Sequence, residues 1–294
     1  MDHVELMALA RDVENTAIEP ADILVTGRAA VVTGGGGGIG QGVALGLARF
    51  GADVAVLDVV PERCAATQAA IERLGRRALG IPCDVMDGDQ VRGAVAATLD
   101  RFGRVDILVN NAGGVRGGPF VTMPEPSMRR HVEINLISMF VATQEVARAM
   151  IDAGNGGSIV NVASIEAFRA APMYAVYAAC KAGMVSFTRT MALELAEHRV
   201  RVNCIAPDHT VTPGLRGNRT GPVDPTGWPD SSEEWSRVVP LGREGLVEEC
   251  ASTVVWLCSN MSDYVTGDTI HVDGGTWASS GWLRRGDGGW TLGL

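Results

Sequence analysis

Lysine is almost missing from this chain: 24 of its 25 basic residues are arginine, and the one lysine is Lys181. Tyrosine is nearly as scarce, with three copies at positions 174, 177 and 264. No apolar run approaches the roughly 18 residues that a membrane-crossing helix needs, so a soluble globular chain is expected. Positive charge is also short: 25 basic against 34 acidic residues leaves a net charge of −9, which argues against a general binder of nucleic acid or of anionic membranes. The arginine pairs Arg76-Arg77, Arg129-Arg130 and Arg284-Arg285 are isolated and read as solvated surface. Among the six cysteines (64, 83, 180, 204, 250 and 258) there is no C-x-x-C and no metal-like pairing with the five histidines. They read as reduced thiols, several of them in the core, and no metal is expected. The start, Met1-Asp2-His3-Val4-Glu5, is acidic and unlike a secretory signal, so a cytoplasmic location is expected.

What the chain has in abundance is glycine, 37 of 294 residues, gathered at the joints between apolar segments. Short β-rich runs lie at 29–33, 53–57, 105–109, 158–162, 201–205 and 269–272. Between them are stretches of helical length with apolar spacing of three to four residues, such as Cys180, Met184, Phe187, Met191 and Leu195. Strand followed by helix, repeated, predicts an α/β domain with a doubly wound, mostly parallel sheet and helices on both faces. One domain is expected over residues 28–275, with an N-terminal extension at 1–27 that places Val4, Met7, Ala10 and Val13 on one helical side. A Gly-, Pro- and Trp-rich stretch at 208–235 reads as a substrate loop or lid, and the tail at 276–294 carries Trp277, Trp282 and Trp290 without helical periodicity. Three tryptophans on a free tail would be a liability, so the tail is expected to pack on a neighbouring subunit.

The run Thr33-Gly34-Gly35-Gly36-Gly37-Gly38-Ile39-Gly40 follows a strand and opens a helix. Glycine lets the backbone turn tightly and approach a pyrophosphate, whose charge then sits at the positive end of the helix. Asp58, at the end of the second strand, is placed to accept hydrogen bonds from the adenosine ribose and to repel a 2′-phosphate. Neither the glycine turn nor Val59 supplies a cation, so NAD is favoured over NADP.

The lone lysine stands four residues after Tyr177. Random placement would put it four after one of the three tyrosines in about 1 case in 100. On a helix the phenol and the ammonium then face the same way. A cation beside a phenol favours phenolate and should bring the tyrosine down from about 10, which makes Tyr177 a candidate base for an alcohol or acid for a ketone.

With these pieces in place, the sequence resembles the classical short-chain dehydrogenase/reductase family from residue 28 to 275. The residues that carry the resemblance are Thr33-Gly34-x-x-x-Gly38-Ile39-Gly40, Asn110-Asn111-Ala112-Gly113, Asn135, Ser164 and Tyr177-x-x-x-Lys181. It implies a Rossmann-type sheet and catalysis by Asn135, Ser164, Tyr177 and Lys181. Ser164 would hold the substrate oxygen, Lys181 would also grip the nicotinamide ribose, and Asn135 would complete a proton relay through water. Asp84 and Val85 would meet the adenine ring, while Asn110, Ala112 and Gly113 would form the turn that supports the cofactor. Thr212, after Pro207, resembles the threonine that contacts the nicotinamide amide. A homotetramer is implied, built through the long helices near 127–152 and 174–197 and the C-terminal strand.

The chain departs from the family pattern at Asp208-His209, where glycine usually follows the proline. Arg116, Glu166, Phe168, Asp208, His209 and Arg216 are candidate pocket or lid residues. The expected activity is hydride transfer between NAD(H) and a secondary alcohol or its ketone. Epimerisation or dehydration through a transient ketone is the enzyme alternative, with Glu166 as the second base it would need. A non-catalytic NAD-binding sensor is the other, although such a protein has no need of Tyr177 and Lys181 together.

Overall fold

The computed structural model describes residues 18–212 and 232–292. Seven parallel strands form one sheet in the order β3-β2-β1-β4-β5-β6-β7. They are β1 (Ala29–Thr33), β2 (Asp53–Asp58), β3 (Ala78–Pro82), β4 (Ile107–Asn110), β5 (Gly157–Val162), β6 (Val200–Pro207) and β7 (Thr269–Val272). Helices α1 (Gly38–Arg49), α2 (Pro61–Arg73), α3 (Gly88–Phe102), α4 (Glu125–Val132), α5 (Ser138–Ala153), α6 (Ala175–Glu194), α7 (Ser232–Val238) and α8 (Val247–Cys258) alternate with the strands. The strand order reverses between β1 and β4, and the crevice outside their carboxyl ends is where such sheets bind ligands.

Every residue of β1, β2 and β4 is buried, because both faces of these strands are covered. Ala30, Val32, Val54 and Val56 pack with Val43 and Leu47 of α1 and Val254 and Val255 of α8. Ala29, Val31, Ala55 and Leu57 pack on the other face with Val91 and Val95 of α3 and Val146 and Met150 of α5. Continuous apolar runs of this kind are what a parallel sheet between two helical layers requires.

The strand ends differ slightly from the sequence reading: β4 begins at Ile107 and β6 extends to Pro207. Arg76 and Arg77 are not free surface. Both clamp Asp53, a buried carboxylate at the start of β2, at 2.8 and 2.7 Å. The tail makes one helical turn, Thr276–Ser279 (α9), and a short antiparallel pair, β8 (Leu283–Arg284) with β9 (Trp290–Thr291). It packs on its own chain: Trp277 stacks on His271 and lies against Phe168, each at 5.8 Å between centroids. Arg284 donates to Pro240 O at 3.1 Å and covers the Trp290 ring. Arg216 and the N-terminal positions Val4, Met7, Ala10 and Val13 lie outside the described residues, as does the stretch 213–231 of the expected lid.

Candidate active site

The glycine turn is held shut by side chains from the next strand over. Asn111 Nδ2 donates to Thr33 O and Gly34 O, each at 3.1 Å. Thr33 Oγ1 accepts from the backbone N–H groups of Asn111 and Ala112 at 3.0 and 3.1 Å. The turn is so tight that a Cβ on Gly40 would collide with Gly34 O and Asn111 Nδ2. Helix α1 therefore starts directly over the end of β1, with the N–H groups of its first turn facing the crevice. Ile39 packs on the core cluster behind the turn, and Thr212 lies over Gly38, with Cγ2 at 3.4 Å from where a Cβ would stand.

Asp58 is buried at the end of β2; its Oδ2 accepts from Gly36 N at 3.1 Å and its Oδ1 from Val60 N at 3.0 Å. Each oxygen retains a further lone pair, so the carboxylate can still receive a ribose hydroxyl. The sequence reading found no cation near this acid, but the fold brings one. Arg63, in the first turn of α2, lies along Gly36 and Gly37, with Nη1 at 3.3 Å from a Cβ placed on Gly37. Val85 is buried, and with Thr33, Asn110 and Ala112 it lines a small recess at the ends of β1 and β4. Asp84 closes its own loop by accepting from Met86 N at 3.0 Å. The chemistry of this cradle suits a dinucleotide: glycine backbone and a helix start for the phosphates, and a buried acid for the ribose.

Tyr177 and Lys181 lie on α6, which packs against the end of β5. Ser164 follows β5 as the N-cap of a single 3₁₀ turn, Ile165–Ala167, and its Oγ accepts from Glu166 N at 3.2 Å. The Ser164 hydroxyl is close enough to the Tyr177 phenol to favour its ionised form. The Lys181 ammonium, 4 % exposed, donates to Val162 O at 2.6 Å and sits 5.6 Å from the centre of the Tyr177 ring. Helix α4 passes into α5 through a π-helical turn, Glu133–Ile137, that carries Asn135 inward. Asn135 is fully buried; its Oδ1 accepts from Gly114 N at 3.0 Å, and its Nδ2 donates to Gly114 O and His131 O at 2.8 and 2.9 Å. Gly113 is squeezed between these groups, since a Cβ there would stand 2.9 Å from Asn135 Oδ1 and 3.7 Å from Lys181 Nζ. Ser164, Tyr177, Lys181, Asn135 and Gly113 thus meet at one point, over the carboxyl ends of β4 and β5.

Burial dominates the titration of the pair. It pushes the Tyr177 phenol up to about 12, with Glu166 adding to the rise and the Ser164 hydroxyl opposing it. It also pulls the Lys181 ammonium down to about 8. The sequence expectation of a tyrosine lowered by its lysine is therefore not met in the protein alone: withdrawal from water favours neutral phenol and neutral amine.

Residues 34–276 match the family described as enoyl-(acyl carrier protein) reductase. The chain is 37 % identical over 259 residues to 2-dehydro-3-deoxy-D-gluconate 5-dehydrogenase of Escherichia coli (strain K12), covering 88 % of this chain and 96 % of that protein. It is also 37 % identical over 256 residues to a 3-oxoacyl-(acyl-carrier-protein) reductase of Chlamydia muridarum, covering 86 % and 98 % of the two. Its fold is similar to a 7α-hydroxysteroid dehydrogenase complexed with NADH and 7-oxo glycochenodeoxycholic acid, with a TM-score of 0.81, 32 % identity, and coverage of 88 % and 98 %. The chain belongs to the short-chain dehydrogenase/reductase family. As such it is an oxidoreductase of a family that binds a nicotinamide cofactor and acts on small molecules.

Besides Arg63, two features of this short-chain dehydrogenase/reductase escaped the sequence reading. The Asn110 side chain turns away from the cleft, donating to Asn161 Oδ1 of β5 at 2.8 Å and to Thr143 Oγ1 of α5 at 2.9 Å. Its neighbour Asn111 is the one that ties the phosphate turn, and only the doublet Asn-Asn at a strand end hinted at a division of labour. Arg169 is the second: it bridges Glu166 at 2.8 Å and Asp208 at 3.3 Å across 39 residues of sequence. Asp208 thus belongs to the rim of the site. His209 instead pairs with Glu244 at 3.1 Å and stacks on Trp235 of α7 at 4.0 Å, holding that helix to the loop after β6. Pro207 ends β6 beneath both.

Proposed function

We propose that the protein is an NAD(H)-dependent dehydrogenase that interconverts a secondary alcohol and its ketone. The observation that carries this reading is the convergence of Ser164, Tyr177 and Lys181 on one point beside the dinucleotide cradle. When bound, the nicotinamide ring accepts or delivers the hydride. Ser164 Oγ and the Tyr177 hydroxyl hold the substrate oxygen, where charge grows as the carbon–hydrogen bond breaks or forms. In reduction Tyr177 gives its proton to that oxygen, and a phenol raised to about 12 is kept protonated for this. In oxidation the phenol must first release its own proton to solvent through the relay beside Lys181; the phenolate, favoured by the Lys181 ammonium at its ring, then takes the hydroxyl proton of the alcohol.

Lys181 spends one N–H on Val162 O and has two left for the nicotinamide ribose and a relay water. Asn135 fixes Gly113–Gly114 and the helix turn beside Lys181, where a relay would begin. Gly34, Gly38, Ile39 and Gly40 would cradle the pyrophosphate, Asp58 the adenosine ribose, Asp84 and Val85 the adenine, and Thr212 the nicotinamide amide. Asp58 favours NAD over NADP by repelling a 2′-phosphate, and Arg63 limits the margin. Glu166 is engaged by Arg169, which disfavours the free second base that epimerisation or dehydration would need. We place the enzyme in the cytoplasm as a homotetramer joined through α4–α5, α6 and β7; among the described residues no helix is long and apolar enough to cross a membrane. The test is NADH formation at 340 nm across a panel of secondary alcohols. Turnover supports the reading, and tight NADH binding with no turnover of any alcohol or ketone would replace it with a sensor.

A further inference from the structure

This inference rests on the dehydrogenase reading and names the substrate class of the same site. In the segment between Ser164 and Tyr177 an open depression of about 370 Å³ is lined by Glu166, Arg169, Ala170, Ala171, Pro172 and Tyr174. Its polar wall, Glu166 and Arg169, is backed by Asp208: one guanidinium nitrogen, Arg169 Nη2, is shared by Glu166 Oε1 at 2.8 Å and Asp208 Oδ1 at 3.3 Å. Two carboxylates on one cation leave an excess of negative charge. Asp273, close enough to act on Arg169, adds to it, although its own oxygens are engaged by Gly275 N at 2.9 Å and Trp277 N at 2.7 Å. The three clustered side chains are 22 %, 36 % and 13 % exposed for Glu166, Arg169 and Asp208, so a ligand can reach them while water screens them only partly.

The wall offers both kinds of hydrogen-bonding group. Among the described residues Nε and Nη1 of Arg169 make no hydrogen bond, and each carboxylate keeps lone pairs that the arginine does not fill. An anionic substrate would have to compete for an arginine that is already neutralised and would face the surplus carboxylate. A purely apolar substrate would strip water from these groups and return no partner. Neighbouring hydroxyl groups on an uncharged molecule satisfy donors and acceptors alike. Glu166 is two residues from Ser164 and its backbone N–H donates to Ser164 Oγ at 3.2 Å, which puts the cluster on the same loop as the hydroxyl proposed to hold the reacting oxygen.

We propose that the Glu166–Arg169–Asp208 cluster reads the hydroxyl groups flanking the reacting carbon, and that the substrate is an uncharged polyol or the corresponding ketose. The experiment compares initial rates of NADH formation by the full chain with NAD and sorbitol, xylitol or ribitol, against gluconate and 2-octanol. At least one polyol should exceed both competitors in kcat/KM by about tenfold or more. Glu166→Gln and Asp208→Asn should each raise the KM for that polyol about tenfold while kcat changes less than about threefold. NADH affinity by fluorescence titration should be unaltered in both variants, which also shows that they fold. Faster turnover of gluconate or 2-octanol than of every polyol would overturn the inference and leave the dehydrogenase reading standing, as would an unchanged polyol KM in both variants. NADH binding with no turnover of any alcohol would overturn both.

Discussion

The two sides of the cleft are built by different means. On the side proposed for the cofactor, recognition would rest largely on backbone, the turn 34–37 and the start of α1, with the Asp58 carboxylate added at the end of β2 and Asn111 tying the turn. On the side proposed for the substrate it would rest on side chains that meet only after folding, with Glu166 and Arg169 from the loop after β5, Asp208 from the end of β6, and Phe168, His271 and Trp277 stacked together. Backbone recognition is fixed by the fold and shared by all that have it. Side-chain recognition can be rebuilt for each substrate, which is consistent with relatives that act on a sugar acid, an acyl chain and a steroid at 32–37 % identity.

The largest expected effect falls where the two sides touch. Tyr177→Phe should lower kcat by about 10²–10⁴ while NAD affinity stays near wild type. Lys181→Arg should fail in both turnover and cofactor binding despite keeping the charge, because a planar fork cannot take the place of the ammonium at Val162 O. Retention of more than about a tenth of turnover by Tyr177→Phe in steady-state assays would break the mechanism. In ketone reduction kcat/KM should be level at neutral pH and fall as pH rises through about 8, where Lys181 loses its proton.

A smaller effect separates the sides. NAD should bind at least about tenfold tighter than NADP, Asp58→Ala should narrow the gap, and Arg63→Ala should widen it. Equal affinities in a fluorescence titration would contradict the role given to Asp58. Trp277→Ala should act on the substrate side alone, lowering stability by about 1–2 kcal/mol in urea unfolding and raising substrate KM with NADH binding intact.

The smallest effect lies outside the cleft. The Arg243 guanidinium and the Leu246 N–H hold Glu249 down at about 2, against an ordinary value of 4.5. A carboxyl lowered on folding contributes stability that is complete above 4.5 and is lost as pH falls toward 2. The pair is exposed, so Glu249→Gln should cost only about 0.5 kcal/mol at pH 7, and the difference in urea midpoint should shrink below pH 4.5 and close as pH approaches 2.

The same division governed what could be read in advance. The alternation of strand and helix, the glycine turn, Asp58 and the i,i+4 spacing of Tyr177 and Lys181 are local patterns, and they stand in the fold where the sequence implies. Arg63 was missed because its approach to Gly37 depends on how α2 is laid beside α1, and Arg169 because its two partners are 3 and 39 residues away. The titration of Tyr177 was misjudged for a related reason: spacing reveals the neighbouring cation, whereas the depth of burial that outweighs it emerges only from packing.

The scarcity of lysine has one more consequence, for handling the protein at the bench. A protease that cuts only after lysine has a single target here, and that peptide bond lies inside α6 with its side chain 4 % exposed. Cleavage therefore requires α6 to open, and its rate becomes a direct gauge of how often the candidate active site comes apart. Bound cofactor should slow the cut in proportion to its occupancy, so that a gel with two product bands reports ligand binding without any assay of turnover.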